Sequence, residues 1–235
     1  MRRNMKKLFK ALAAAGGVGI AAYAVSQRGK PKKKSDVWNT FAPVYDLFIS
    51  KDRKAYEEMY RRIRAAVGGK RVLELCTGTG LIAKHIADVT AETVATDFAE
   101  KMLAEARKGN VPANLTFRQA DATALPFVDD SFDVVIISNA LHIIPQPERA
   151  LAEARRVLKP GGLLIAPNFL DHRSGGVKSA LAKLLTAAGV VFEVTWNEAG
   201  YLAFLEKNGW RVRESAVLKA SFPLMYTECE DAKRD

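Results

Sequence analysis

The chain has 235 residues, with 36 basic against 26 acidic, a formal charge of +10. The excess is local: ten basic residues and no acid fall between Met1 and Lys34, which leaves the remainder electrically balanced. This argues against a basic nucleic-acid-binding face on the globular part, and two cysteines are too few for a disulfide framework, which favours a reducing compartment. The length suits one domain with a sizeable core.

The first thirty-four residues read as an extension, with the domain proper over 35–235. Leu8 to Ser26 is apolar except for Lys10 and rich in Ala and Gly. At about 1.5 Å per residue it nearly spans a hydrocarbon core of about 30 Å. An uncleaved membrane-anchoring helix over 8–26 is the expectation. Its rival is a cleaved export signal, with Arg2-Arg3 at its start and Ala22-Tyr23-Ala24 as the cleavage site. The linker Lys30-Pro31-Lys32-Lys33-Lys34 suits solvent or an anionic lipid surface, each basic residue adding about 1 kcal/mol there. The expected location is therefore at a membrane with the catalytic domain on the cytoplasmic side, or cytoplasmic if 8–26 does not insert.

After the aromatic stretch Val37–Asp46, a helix is expected over Lys54–Val67, with Tyr56, Met59, Ile63 and Val67 on one stripe. Arg71–Leu75 reads as a buried strand, followed by the turn Cys76-Thr77-Gly78-Thr79-Gly80 and a helical pattern from Leu81. Further strands are expected over Thr93–Thr96, Leu115–Arg118, Phe132–Ser138 and Leu163–Ala166. Helices are expected over Ala99–Lys108 and Pro147–Leu158, with Lys159-Pro160-Gly161-Gly162 as a turn. Strand and helix in alternation predict an α/β fold, a Rossmann-like, doubly wound, mostly parallel sheet covered on both faces. Ligands of such sheets bind at the carboxyl ends of the strands. Trp196, Tyr201, Leu205 and Trp210 read as core packing, and Asp129-Asp130-Ser131 as a turn. No His/Cys/Asp cluster has metal-ligand spacing, so no metal is expected.

Gly78-Thr79-Gly80-Leu81-Ile82-Ala83 fits a dinucleotide fingerprint, with Asp97 seventeen residues beyond Gly80. By spacing alone a nicotinamide oxidoreductase is allowed. Three carboxylates tilt the balance. Glu74 precedes the turn, where a pyrophosphate would be repelled and a cationic partner welcome. Asp97 at a strand end suits two ribose hydroxyls, and Asp121 at the next suits an adenine amino group. A ligand with ribose, adenine and ammonium but no phosphate answers all three, which is S-adenosylmethionine.

On these residues the chain resembles the class I methyltransferases that use S-adenosylmethionine, in the ubiquinone/menaquinone and phosphatidylethanolamine N-methyltransferase group. The resemblance is carried by Val72–Gly80, Ala95-Thr96-Asp97-Phe98, Gln119–Ala122 with Leu125-Pro126-Phe127, Phe132–Val135 and Arg156–Gly162. It implies Glu74, Cys76, Thr77, Gly78 and Gly80 near the methionyl part and Asp97 on the ribose. It further implies Phe98 and Met102 flanking the adenine, Asp121 and Ala122 at its edge, and Tyr45 closing over the cofactor. Asn139, at the site end of the fourth strand, joins this cofactor-binding set. The resemblance also implies seven strands ending in an antiparallel hairpin, which Arg211–Ser215 and Val217–Leu224 would supply. One departure stands out: Cys76 occupies a position where relatives usually have Gly.

His142 is the candidate base or substrate-orienting residue, because it follows the fourth strand at the site end of the sheet. His172 is a weaker candidate after the fifth strand, and His85 reads as a surface or packing residue. The expected activity is methyl transfer to a small or lipophilic acceptor (phospholipid amine, quinone-like ring or thiol) at a membrane surface. A nicotinamide oxidoreductase and a cofactor-binding, non-catalytic membrane adaptor are the rival readings.

Overall fold

The computed structural model describes residues 37–39, 42–170 and 191–234. The apolar segment 8–26, the basic linker and His172 lie outside these residues. Among the described residues no helix is long and apolar enough to cross a membrane.

A short helix, α1 (Tyr45–Ile49), leads into α2 (Arg53–Val67), whose Tyr56, Met59, Ile63 and Val67 are buried. The stripe recurs at the three- and four-residue spacing that turns one helical face inward. Then follow β1 (Arg71–Leu75), α3 (Leu81–Ile86), β2 (Glu92–Asp97), α4 (Glu100–Ala106) and β3 (Leu115–Gln119). The chain continues through β4 (Phe132–Ile137), α5 (Pro147–Val157), β5 (Leu158–Ile165) and β6 (Asn168–Phe169), then α6 (Glu198–Lys207), β7 (Trp210–Leu218) and β8 (Leu224–Asp231).

The sheet runs β3-β2-β1-β4-β5-β8-β6, with β7 pairing on β8. β3, β2, β1, β4 and β5 are parallel neighbours, whereas β8 is antiparallel to β5, β6 and β7. Successive strand residues face opposite sides, and the core divides accordingly. Leu73 and Leu75 of β1 pack with Leu151 and Ala154 of α5 and with Tyr201 and Leu205 of α6. Val72 packs with Met59 and Ile63 of α2 and Ile86 of α3. Strand order reverses between β1 and β4, which opens a crevice at their carboxyl ends.

Residues 120–131 cross from β3 to β4 as a loop, without a helix. The sheet departs from expectation in three places. Among the described residues it has eight strands instead of seven, because the two residues of β6 pair with β8. Lys159–Gly162 does not precede β5 but bulges within it: pairing jumps from Phe132↔Leu158 to Val134↔Leu163. Pro160 offers no N–H to a ladder, and Gly161 takes a left-handed φ of 70°. Finally, the second hairpin strand is Leu224–Asp231, not Val217–Leu224. The turn falls at Ser221-Phe222-Pro223, where Asp52 accepts the backbone N–H and hydroxyl of Ser221 at 2.8 and 2.9 Å. Trp196, Tyr201, Leu205 and Trp210 are core residues, as their spacing suggests.

Candidate cofactor and acceptor site

The turn after β1 takes three residues of left-handed backbone within five: Cys76 at φ 55°, Gly78 at 58° and Gly80 at 77°. At Gly80 the requirement is also spatial, since a Cβ would sit 2.8 Å from the Phe117 ring. The turn is tied down on both sides. Thr77 N–H donates to Thr96 O at 2.8 Å, and Gly78 N–H donates to the Asp97 carboxylate at 2.8 Å. Asp97 also accepts the Ala99 N–H at 2.8 Å. Burial raises its pKa, against the pull of these backbone donors. Thr79 donates its hydroxyl to Asp46 of α1 at 2.5 Å, which fastens the N-terminal segment over the turn.

The turn opens on a cavity of about 390 Å³, a size ordinary for a small-molecule site. It is lined by Tyr45, Cys76, Gly78, Asp97, Phe98, Met102, Asp121, Ala122 and Asn139, so nine of the twelve residues expected at the cofactor come together. Phe98 is 53% exposed, unusual for a large apolar side chain and suited to covering a flat ligand. Glu74, Thr77 and Gly80 stand behind the lining. Glu74 is buried and accepts the Thr77 hydroxyl at 2.7 Å. Burial pushes its pKa up to about 8.

Among the described residues, Asp97 and Asp121 are the only formally charged groups in the lining, and no Lys, Arg or His joins them. A pyrophosphate would meet repulsion and no compensating cation there. A sulfonium ligand with an ammonium group and two ribose donors fits this set. The side-chain Oδ1 of Asn139, buried without a partner beside the cavity, adds a further acceptor.

His142 is not brought to this cavity. It is 6% exposed, lies parallel to the Phe192 ring at 5.6 Å and meets Phe169 edge-on at 5.9 Å. Its Nδ1 bonds Asn168 Oδ1 at 2.9 Å, while Asn168 Nδ2 donates to Phe169 O at 3.0 Å. The Nδ1–H tautomer is therefore assigned from the network. Burial pulls its pKa down to about 4, so the imidazole is a neutral, buried packing group. His85 stacks on Tyr60 at 4.1 Å, away from the cavity.

Sequence reasoning missed Trp38, Ala99, Thr123, Ser138, Ala140 and the run Ile143–Gln146, which complete the lining. Ser138 and Ala140 flank Asn139 at a strand end and were readable by that rule. Ile143–Gln146 is apolar up to Gln146, and only the β4–α5 connection brings it to the cavity.

A family model described as a methyltransferase domain matches residues 73–166. The demethylmenaquinone methyltransferase of Renibacterium salmoninarum is 34% identical over 163 residues, 68% of each chain. The ubiquinone/menaquinone biosynthesis C-methyltransferase of Ectopseudomonas mendocina is 35% identical over 157 residues, 62% of this chain and 61% of that relative. Among solved structures, a DhpI–SAH complex superposes with a TM-score of 0.67 over 86% of this chain and 96% of that one, at 24% identity.

Proposed function

Because the chain belongs to the S-adenosylmethionine-dependent class I methyltransferases, in their ubiquinone/menaquinone group, we propose that it methylates a ring carbon of a lipophilic quinol-type acceptor. The observation that carries this reading is the match to a demethylmenaquinone methyltransferase over two thirds of each chain. Family membership sets aside the nicotinamide reading, in line with the lining carboxylates.

S-adenosylmethionine supplies a methyl group already activated on a sulfonium. The protein's task is then to hold a nucleophile in line with it, which can supply roughly 7–11 kcal/mol of the barrier. In this reading Asp97 accepts hydrogen bonds from the ribose hydroxyls. Phe98 and Met102 cover the adenine, with Asp121 and Ala122 along its edge. Tyr45, Cys76, Gly78 and Asn139 surround the methionyl end, while Glu74 and Thr77 hold the turn from behind. The apolar side of the cavity, Trp38 with Ile143, Ile144 and Pro145, suits an uncharged ring. Residues 1–34 hold the domain 35–235 at the cytoplasmic surface of a membrane, where such an acceptor resides.

The test is methyl transfer from labelled S-adenosylmethionine to demethylmenaquinol, beside phosphatidylethanolamine and a thiol. Label is expected in the quinol ring. Transfer only to the amine or thiol would overturn the acceptor class, and cofactor binding without turnover on any of the three would favour a non-catalytic adaptor.

A further inference from the structure

The loop from β3 to β4 carries one wall of the cavity, through Asp121, Ala122 and Thr123, with no helix within it. Irregular backbone at a binding wall needs another source of order. At its near end, Ala120 N–H donates to Asp97 O at 3.2 Å. Asp121 then accepts both the N–H and the hydroxyl of Thr123 at 2.8 Å.

At the far end Leu125 is buried in the core and Phe127 meets Phe132 edge-on at 5.2 Å, and the polar backbone around them is gripped by a guanidinium on α5. Arg156 grips the Glu153 carboxylate with Nε at 2.9 Å and Nη2 at 2.7 Å. It donates to the carbonyls of Phe127 at 2.7 Å and Leu125 at 3.1 Å, and to Asp129 at 2.8 Å. These five bonds match the five donors of its planar fork. Glu153 closes the circuit by accepting the Leu125 N–H at 2.7 Å.

We infer that Arg156, oriented by Glu153, is a positioning residue for the adenosyl end of the cofactor site. It does for the β3–β4 loop what a crossover helix would do, and so fixes where Asp121–Thr123 meet the ligand. The inference rests on the cofactor reading above. A lysine has three donors on a point charge and cannot replace five bonds spread over two carbonyls and two carboxylates.

The neighbouring residue supplies an internal control. Arg155 bonds Asp231 at 2.8 Å and Asn208 O at 2.6 Å and covers the Trp210 ring, a network that lines no part of the cavity. Calorimetry on the full chain, with S-adenosylhomocysteine as probe, compares wild type with Arg156→Met, Arg156→Lys, Glu153→Gln and Arg155→Met. Both Arg156 variants are expected to bind at least about tenfold more weakly, as loss of charge-assisted bonds to the loop implies, and Glu153→Gln by a smaller factor. At saturating S-adenosylmethionine, kcat and the acceptor KM should stay near wild type, so that the loss appears in the cofactor KM. Arg155→Met should lower Tm but keep the wild-type Kd. Should Arg156→Met fail to fold, Arg156→Lys and Glu153→Gln decide. Folded Arg156 variants with wild-type Kd, or an equal loss in Arg155→Met, overturn the inference alone. A wild-type chain that does not bind the probe overturns the cofactor reading with it.

Discussion

Glu74 is a carboxyl group held where water cannot reach it, and the cost should be visible as a pH dependence of stability. Its folded pKa of about 8 lies above the ordinary value of 4.5. Between those values the folded state binds the extra proton, so stability falls as pH rises. His142 works the other way, its folded pKa of about 4 lying below the ordinary 6.5, so that its stability contribution grows as pH rises from about 4 to 6.5. The two oppose each other below 6.5, and from 6.5 to 8 His142 no longer offsets Glu74. There Glu74 should cost the wild type on the order of 2 kcal/mol, at about 1.4 kcal/mol per unit, and Glu74→Gln should lack that slope. Urea melts at several pH values measure this; equal slopes in the two proteins would refute it. Glu74 was legible in the sequence as a carboxylate out of place in an apolar strand. Its seat behind the lining was not, because the pattern gives a face and not a depth. The Cys76 anomaly also has its explanation in the backbone: φ of 55° is a conformation in which a Cβ costs roughly 1–2 kcal/mol, so Gly is the easier residue there.

At the level of elements, the five parallel strands and their glycine corner could be read because buried strands leave nearly continuous apolar runs, and the edge strand β3 alternates buried and exposed residues. What could not be read were interruptions whose cause lies in a partner strand. Lys159-Pro160-Gly161-Gly162 has the composition of a turn, yet β4 holds it in the sheet as a bulge, with Lys159 Nζ on Asp133 at 2.8 Å. Gly162 is the tight point, since a Cβ there would lie 2.7 Å from Leu158 Cδ2, 2.8 Å from Lys159 O and 3.1 Å from Asp133 O. Two of these atoms are backbone and cannot rotate away. Gly162→Ala should therefore cost about 1–3 kcal/mol, as overpacking does, lowering the urea midpoint with an unchanged m-value. A midpoint equal to wild type would mean that the bulge has slack. The hairpin was misplaced for a related reason: Leu224–Cys229 is buried throughout, which gives it no alternation to announce a strand, and Pro223 alone marks where the chain reverses.

For the whole molecule, the order β3-β2-β1-β4-β5 puts the reversal point, the acid-lined cavity and the matched region 73–166 in one place. The strand-end rule pointed to the side of the cavity that carries Asp97, Asp121 and Asn139. The apolar side depended on Trp38 and on Ile143–Gln146, which only the folded chain assembles. Removing residues 1–34 should leave a folded protein with wild-type affinity for S-adenosylhomocysteine, because the residues that line the cavity run from Trp38 to Gln146. Its kcat/KM on a quinol embedded in vesicles should fall, while kcat/KM on a short-chain, water-dispersed analogue should not. Equal loss on both would show that the extension acts on the fold and not on access.

Trp38 gives that expectation a length scale. It lines the cavity and stands four residues beyond Lys34, the last of the basic run. At about 3.5 Å per residue, four residues reach no further than about 14 Å. Whatever surface holds the basic run thus holds Trp38 within half a bilayer's thickness of itself. Were that surface a bilayer, as proposed, the enzyme and a dissolved acceptor would meet at an effective concentration set by tether length rather than by bulk amount, and the search for substrate would become two-dimensional.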